Sequence, residues 1–232
     1  MEFLSSLCLL LMLGNGSGAG YAPVNQASLV QAWTEEAIAS DIALLEELEA
    51  IELTDTERQV LLDELLDFAD EGVEAGVEPV GMILSEVGGG NYDDEWNWSP
   101  SSQTVYSFDA EVFEIDQMYT QFLQGIASIN QDEFTISDIV EEQNEVDWDM
   151  GYGTAVVSFL YNDTPCTMTM DMEGDWFDMS AIAQMNKILL QQGNPKQLYY
   201  LTDGYQEIIV FYNTSEWAAH FTHCTGQRLY MK

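Results

Sequence analysis

Between Tyr92 and Trp98 the chain sets large aromatic rings beside carboxylates: Tyr92, Trp96 and Trp98 flank Asp93, Asp94 and Glu95. Such rings stack on the apolar faces of sugars while carboxylates hold the hydroxyls. The same combination anchors a basic protein, because aromatic side chains at a desolvated centre supply much of an interface's affinity. The opposing expectation is that the tryptophans fold back as a staple onto the neighbouring domain.

A second cluster, Asp171, Glu173, Asp175 and Asp178, offers oxygen ligands for calcium, which takes roughly six to eight of them. An EF-hand is excluded. Counted from Asp171, Trp176 stands at the sixth position, where the loop needs Gly, and Ile182 at the twelfth, where it needs Glu. A weak, nonstandard calcium site remains, against a strand-to-helix turn in which Asp175 or Asp178 caps the next helix. No other cofactor is implied.

Other chemistries are poorly supplied. The chain has two histidines, His220 and His223, both beside Cys224. A Cys–His nucleophile needs its partners on separate elements, which only Cys166 could satisfy. His220, His223 and Cys224 would need a fourth ligand from elsewhere to hold zinc. Carboxylate pairs suited to glycoside hydrolysis arise by abundance: Asp93, Asp94 and Glu95 beside Trp96, or Asp147, Asp149, Asp175 and Asp178 beside Trp148 and Trp176. Gly88-Gly89-Gly90 lacks the Lys and Ser or Thr of a phosphate-binding loop.

Charge narrows the partners further. Forty-one acidic residues face five basic ones, a formal charge of −36 on 232 residues. Residues 187–232 hold four of the five bases, Lys187, Lys196, Arg228 and Lys232, and only Asp203, Glu207 and Glu216 among the acids. Neutralising phosphates takes Lys and Arg that are absent, so nucleic acid is excluded as a ligand, although an acidic chain can mimic it. Basic proteins are attracted instead. With 47% apolar and 12% aromatic residues, the composition supports a core despite the charge.

The elements that must position these residues follow from periodicity. Residues 1–23 read as a leader: Phe3–Leu13 is an apolar run too short for a membrane span, and Ser17 and Ala19 precede a cleavage point at Gly20. The start, Met1-Glu2, lacks the usual positive charge, so the alternatives are a basic segment upstream of Met1 or a buried N-terminal helix. Loss of the leader would remove Cys8 and leave Cys166 and Cys224 as an even pair, either bridged or separately buried.

Residues 24–87 read as an acidic helical hairpin divided at the capping box Thr54-Asp55-Thr56-Glu57. Residues 88–103 break all periodicity and read as a loop or linker. Residues 104–232 form the α+β domain. Strands are expected over 104–109, 133–140, 154–161, 165–172, 198–202 and 207–212, with helices over 114–129, about 178–192 and after Thr214. The order is β-α-β-β-β-α-β-β-α, and Asn162-Asp163 and Asp203-Gly204 are hairpin turns, so the sheet is mostly antiparallel.

Together these features point to a non-enzymatic, exported or cell-surface binding module for a basic protein or a glycan. The alternatives are a cytoplasmic inhibitor or immunity-type protein that neutralises a basic partner, and a carbohydrate-active enzyme. Halophilic adaptation would explain the acidity with no partner at all. The leader reading predicts that protein recovered outside the cytosol begins at Gly20; a cytosolic chain whose intact mass retains Met1 overturns it.

Overall fold

The computed structural model describes residues 33–73, 77–95, 97–112, 115–147, 151–203 and 205–232. Expectations for residues 1–23, Trp96, Trp148, Asp149 and Gly204 lie outside the described residues. Local signals start the first helices. The Ala37 amide donates to Thr34 Oγ1 at 3.3 Å, capping α1 (Glu35–Glu47). At α2 (Asp55–Glu71) the capping box closes: the Thr54 amide donates to Glu57 Oε2 at 2.7 Å and the Glu57 amide to Thr54 Oγ1 at 3.3 Å. Arg58 ties the two helices together through Glu46 at 2.7 Å, and pairs with Asp55 at 2.9 Å.

A third helix, α3 (Pro79–Gly88), follows, with Pro at its first position. Periodicity does not single it out, because Pro79 to Leu84 are all buried and no polar stripe breaks the run. Residues 88–103 are also more regular than a linker. Strands β1 (Gly90–Tyr92) and β2 (Trp98–Pro100) pair antiparallel, Tyr92 opposite Trp98.

From there the elements keep the expected order: β3 (Tyr106–Asp109), α4 (Met118–Ser128), β4 (Ile136–Asp147), β5 (Tyr152–Tyr161), β6 (Thr164–Glu173), α5 (Ser180–Gln191), β7 (Gln197–Thr202), β8 (Glu207–Asn213) and α6 (Ser215–Thr225). The class is α+β, with every strand pairing antiparallel. Asn162 and Asp163 take φ of 45° and 61°, the left-handed pair that a tight hairpin turn needs between β5 and β6.

Two boundaries move. α4 begins at Met118, later than the expected 114, and its first turn meets a carboxylate from another strand: the Thr120 amide donates to Glu141 Oε2 at 2.8 Å. β4 starts later than expected and runs seven residues past 140, through an acid-rich stretch with low strand propensity. Partners inside the fold hold it there: besides Glu141, Gln143 Nε2 donates to the Ile115 carbonyl at 2.8 Å.

The strands form two three-stranded sheets beyond the small hairpin, ordered β4-β5-β6 and β3-β8-β7. Strand β8 sits at the centre of the second sheet and is buried on both faces. One face gives Ile208, Val210 and Tyr212 to a core shared with α4, α5 and the β4-β5-β6 sheet. The other gives Ile209 and Phe211 to a core shared with α1, α2, α3 and Phe221 of α6. The helical hairpin therefore packs directly on the sheet, and the Trp217 indole N–H donates to the Leu48 carbonyl at 2.8 Å.

Helix α3 lies so close to this sheet that side chains do not fit beneath it. A Cβ at Gly88 would sit 2.9 Å from the Ser107 amide nitrogen, and one at Gly81 would sit 3.0 Å from the Asp203 Cα. In a free helix Gly→Ala gains about 1 kcal/mol. Overpacking against backbone costs roughly 1–3 kcal/mol. Gly88→Ala is therefore expected to lower the urea-unfolding free energy by about 1–2 kcal/mol; an unchanged or higher midpoint would show that α3 does not press on β3.

Candidate functional site

A cleft is bounded by α2, the end of α3 and the segment after β2. Its volume is about 520 Å³. The capping box fixes where α2 begins and so sets its Val60, Leu61 and Glu64 along one wall; α3 contributes Glu86 and Val87 at its last turn. Asn91 and Ser101 to Thr104 line the third side, and Glu52 and Leu53 complete the lining. The Ser101 hydroxyl donates to the Gly89 carbonyl, which locks that wall to the helix end.

The lining pairs apolar surface with four carboxylates, those of Glu52, Glu57, Glu64 and Glu86, and includes no Lys, Arg or aromatic side chain. Their electrostatics differ. Glu57 is held below the usual carboxylate range by the Thr54 amide and hydroxyl, so it belongs to the helix cap. Glu86 is pushed up, first by the cleft walls that crowd its carboxyl although it still reaches solvent, then by the charge of Glu64. Glu64 is raised by partial desolvation as well.

Behind α3 lies a more deeply placed acid. Glu207 on β8 accepts from the buried Ser107 hydroxyl at 2.7 Å. Burial drives its pKa up to about 7, and the charges of Asp109, Asp203 and Glu86 add to the shift. No sequence pattern marks either group. Glu86 stands in an apolar helix, and Glu207 opens an apolar strand like any edge residue.

The aromatic segment is arranged around structure. Asp93 Oδ1 accepts from the Glu95 and Asn97 amides, each at 2.9 Å, and so closes the β1–β2 turn. Asp94 and Glu95 are exposed in that turn, and Tyr92 is partly exposed on β1. Trp98 folds back: its ring meets Tyr106 edge-on at 5.8 Å and covers Gly90, where any Cβ would collide with the indole. It is thus a core contact and offers no stacking platform.

The proposed calcium ligands are dispersed by their elements. Asp171 and Glu173 project from the exposed face of β6, and the Asp175 carbonyl accepts from the Val112 amide at 2.8 Å. Asp178 serves the turn into α5, accepting from the Ser180 amide at 2.8 Å and the Asp171 amide at 3.1 Å. Among the described residues no three His, Cys, Asp or Glu side chains converge as a metal site.

Cys166 and Cys224 are both free thiols, and geometry keeps them so. Cys166 packs half-buried on the core of the β4-β5-β6 sheet, whereas Cys224 is exposed on α6, across the β3-β8-β7 sheet. The same separation keeps Cys166 from His220 and His223. Cys224 Sγ instead lies 3.7 Å from His220 Nδ1, one turn away on its own helix.

Glu207 titrates with a sign that can be checked. Its folded pKa lies above the value near 4.5 of an unfolded Glu, so the folded state binds the proton more tightly and stability falls as pH rises from about 4.5 to about 7. Gln keeps the acceptor for Ser107 and carries no charge. Glu207→Gln is expected to stabilise the protein by about 1–3 kcal/mol at pH 8 and by almost nothing at pH 4.5, read from paired urea titrations. A pH-independent difference would contradict the assignment.

The chain matches no protein-family model, and comparison with curated proteins and with solved structures finds no match.

Proposed function

We propose that this chain is a non-enzymatic binding module, acting outside the cytosol, whose partner is a basic protein. The observation that carries the reading is the unneutralised acidic face of the helical hairpin. Glu35, Glu36, Glu47, Glu49, Asp63 and Asp67 are exposed along α1 and α2. Among the described residues the ion pairs engage only Glu46, Asp55 and Glu133. A surface of one sign steers a partner of the other, and the cleft offers that partner apolar contact once it arrives.

The glycan reading is weakened by the position of Trp98, which turns inward against Tyr106. Among the described residues no aromatic ring lines the cleft. The carbohydrate-active enzyme loses support for the same reason, since Asp93 and Asp178 hold turns together. No described helix is long and apolar enough to cross a membrane.

A lysine- and arginine-rich peptide titrated into the full chain tests the proposal. Association is expected at 20 mM salt, with an on-rate that drops by about tenfold or more by 300 mM, as screening removes the steering. Absence of binding at low salt, or binding indifferent to salt, would overturn it.

A further inference from the structure

The cleft has features that the acidic surface alone does not explain. Its walls alternate in character: Leu53, Val60, Leu61 and Val87 are apolar, while Glu64 and Glu86 carry the charge. Val60, 37% exposed on α2, presents its apolar side chain to the cleft. The acids are also placed at a cost. Desolvation and mutual repulsion raise the Glu86 carboxyl, and desolvation raises Glu64, so both are better off with a cation between them. Arg58, the cation nearest in sequence, is turned to Glu46 and Asp55.

We propose that this cleft receives one lysine side chain of the basic partner, its ammonium between Glu64 and Glu86 and its methylene stem on Leu53, Val60, Leu61 and Val87. The inference rests on the reading of the chain as a binder of basic protein. Lysine fits better than arginine. A compact ammonium on an apolar stem suits a cleft whose walls are aliphatic and whose charges come from two separate helices. A guanidinium gains most from a bidentate carboxylate or an aromatic face, and no ring lines the cleft.

The lining also fixes how binding responds to pH. Glu52 before α2, Glu57 and Glu64 on α2 and Glu86 on α3 are its titratable groups, and the third wall, Asn91 and Ser101 to Thr104, has none. A bound ammonium favours the charged forms of Glu64 and Glu86. Lysine therefore displaces protons from them, and affinity rises with pH through the range in which these two acids ionise.

The test compares a lysine-rich and an arginine-rich peptide of equal length and charge pattern, with a lysine-acetylated peptide of the same length as the uncharged control, titrated into the full chain at low salt. Glu64→Gln combined with Glu86→Gln is expected to weaken the lysine peptide by about tenfold or more. Glu36→Gln combined with Glu47→Gln, on α1 outside the cleft, is expected to weaken it by less than about threefold. Val60→Lys supplies the cation from within: it should block the peptide and raise the melting temperature.

The results separate the two levels of the argument. Equal losses in the cleft and α1 variants, or a Val60→Lys chain that binds as well as the parent, would overturn the lysine site while leaving the basic partner in place. Tenfold tighter binding of the arginine peptide would overturn the choice of lysine. Failure of the unmodified chain to bind either basic peptide at low salt would overturn the parent reading as well.

Discussion

Burial of β8 on both faces is the constraint on which the other elements depend. A strand in an antiparallel sheet commonly leaves one face to solvent. Here Ile208, Val210 and Tyr212 enter one core while Ile209 and Phe211 enter the other, so neither layer is complete without the sheet between them. The chain must also fold against strong self-repulsion, at a formal charge of −36. Hydrophobic burial on two sides of one strand concentrates the favourable term, and Glu207 at its start is carried in with a raised pKa. The closeness of α3, with Gly81 and Gly88 against strand and turn backbone, shows how tightly the second layer is drawn down.

So few cations force a different way of stabilising carboxylates. Ion pairs among the described residues involve only Arg58 and Lys196 as donors. Backbone amides take over where acids meet structure. Glu57 accepts from Thr54 at the start of α2, Glu141 reaches across from β4 to the first turn of α4, and Asp178 serves the turn into α5. Each satisfies N–H groups that a helix start leaves unpaired, and each places negative charge at the positive end of the helix dipole. Asp93 does the same work in the β1–β2 turn. Acidity is thus partly structural, and the acids that remain free of such tasks define the outer helical face and the cleft.

Local chemistry was legible in the sequence, and long-range chemistry was not. The capping box at Thr54, the Asn162-Asp163 turn and the Thr214 cap act within a few residues, so spacing alone reveals them. Helix α3 escaped because the continuous burial of Pro79 to Leu84 blurs its amphipathic period, and the extension of β4 escaped because its Glu141 is satisfied from α4, which no window of sequence contains. The aromatic segment offered two readings, a platform or a fold-back onto the neighbouring domain, and Trp98 takes the second. Trp98 beside three acids looks like a binding platform until the register of β1 and β2 turns it onto Gly90 and Tyr106. The cleft itself joins residues from 52 to 104, and Glu64 and Glu86 become neighbours only when α3 folds back over α2.

That fold-back gives the cleft its character. Carboxylates spread over an exposed helix repel one another weakly, because water and salt screen them. Crowding Glu86 against walls and beside Glu64 removes some of that screening, which raises the cost of its charge and makes a cation there more favourable. A solvated sodium ion would lose hydration without gaining from the aliphatic walls, whereas an ammonium on a hydrocarbon stem satisfies both surfaces at once. The same geometry disfavours a second copy of this chain as the occupant. Its basic residues are few, and Arg58 and Lys196 are already engaged with carboxylates of their own chain. Two such acidic surfaces brought together would have to overcome the repulsion that each already opposes on folding.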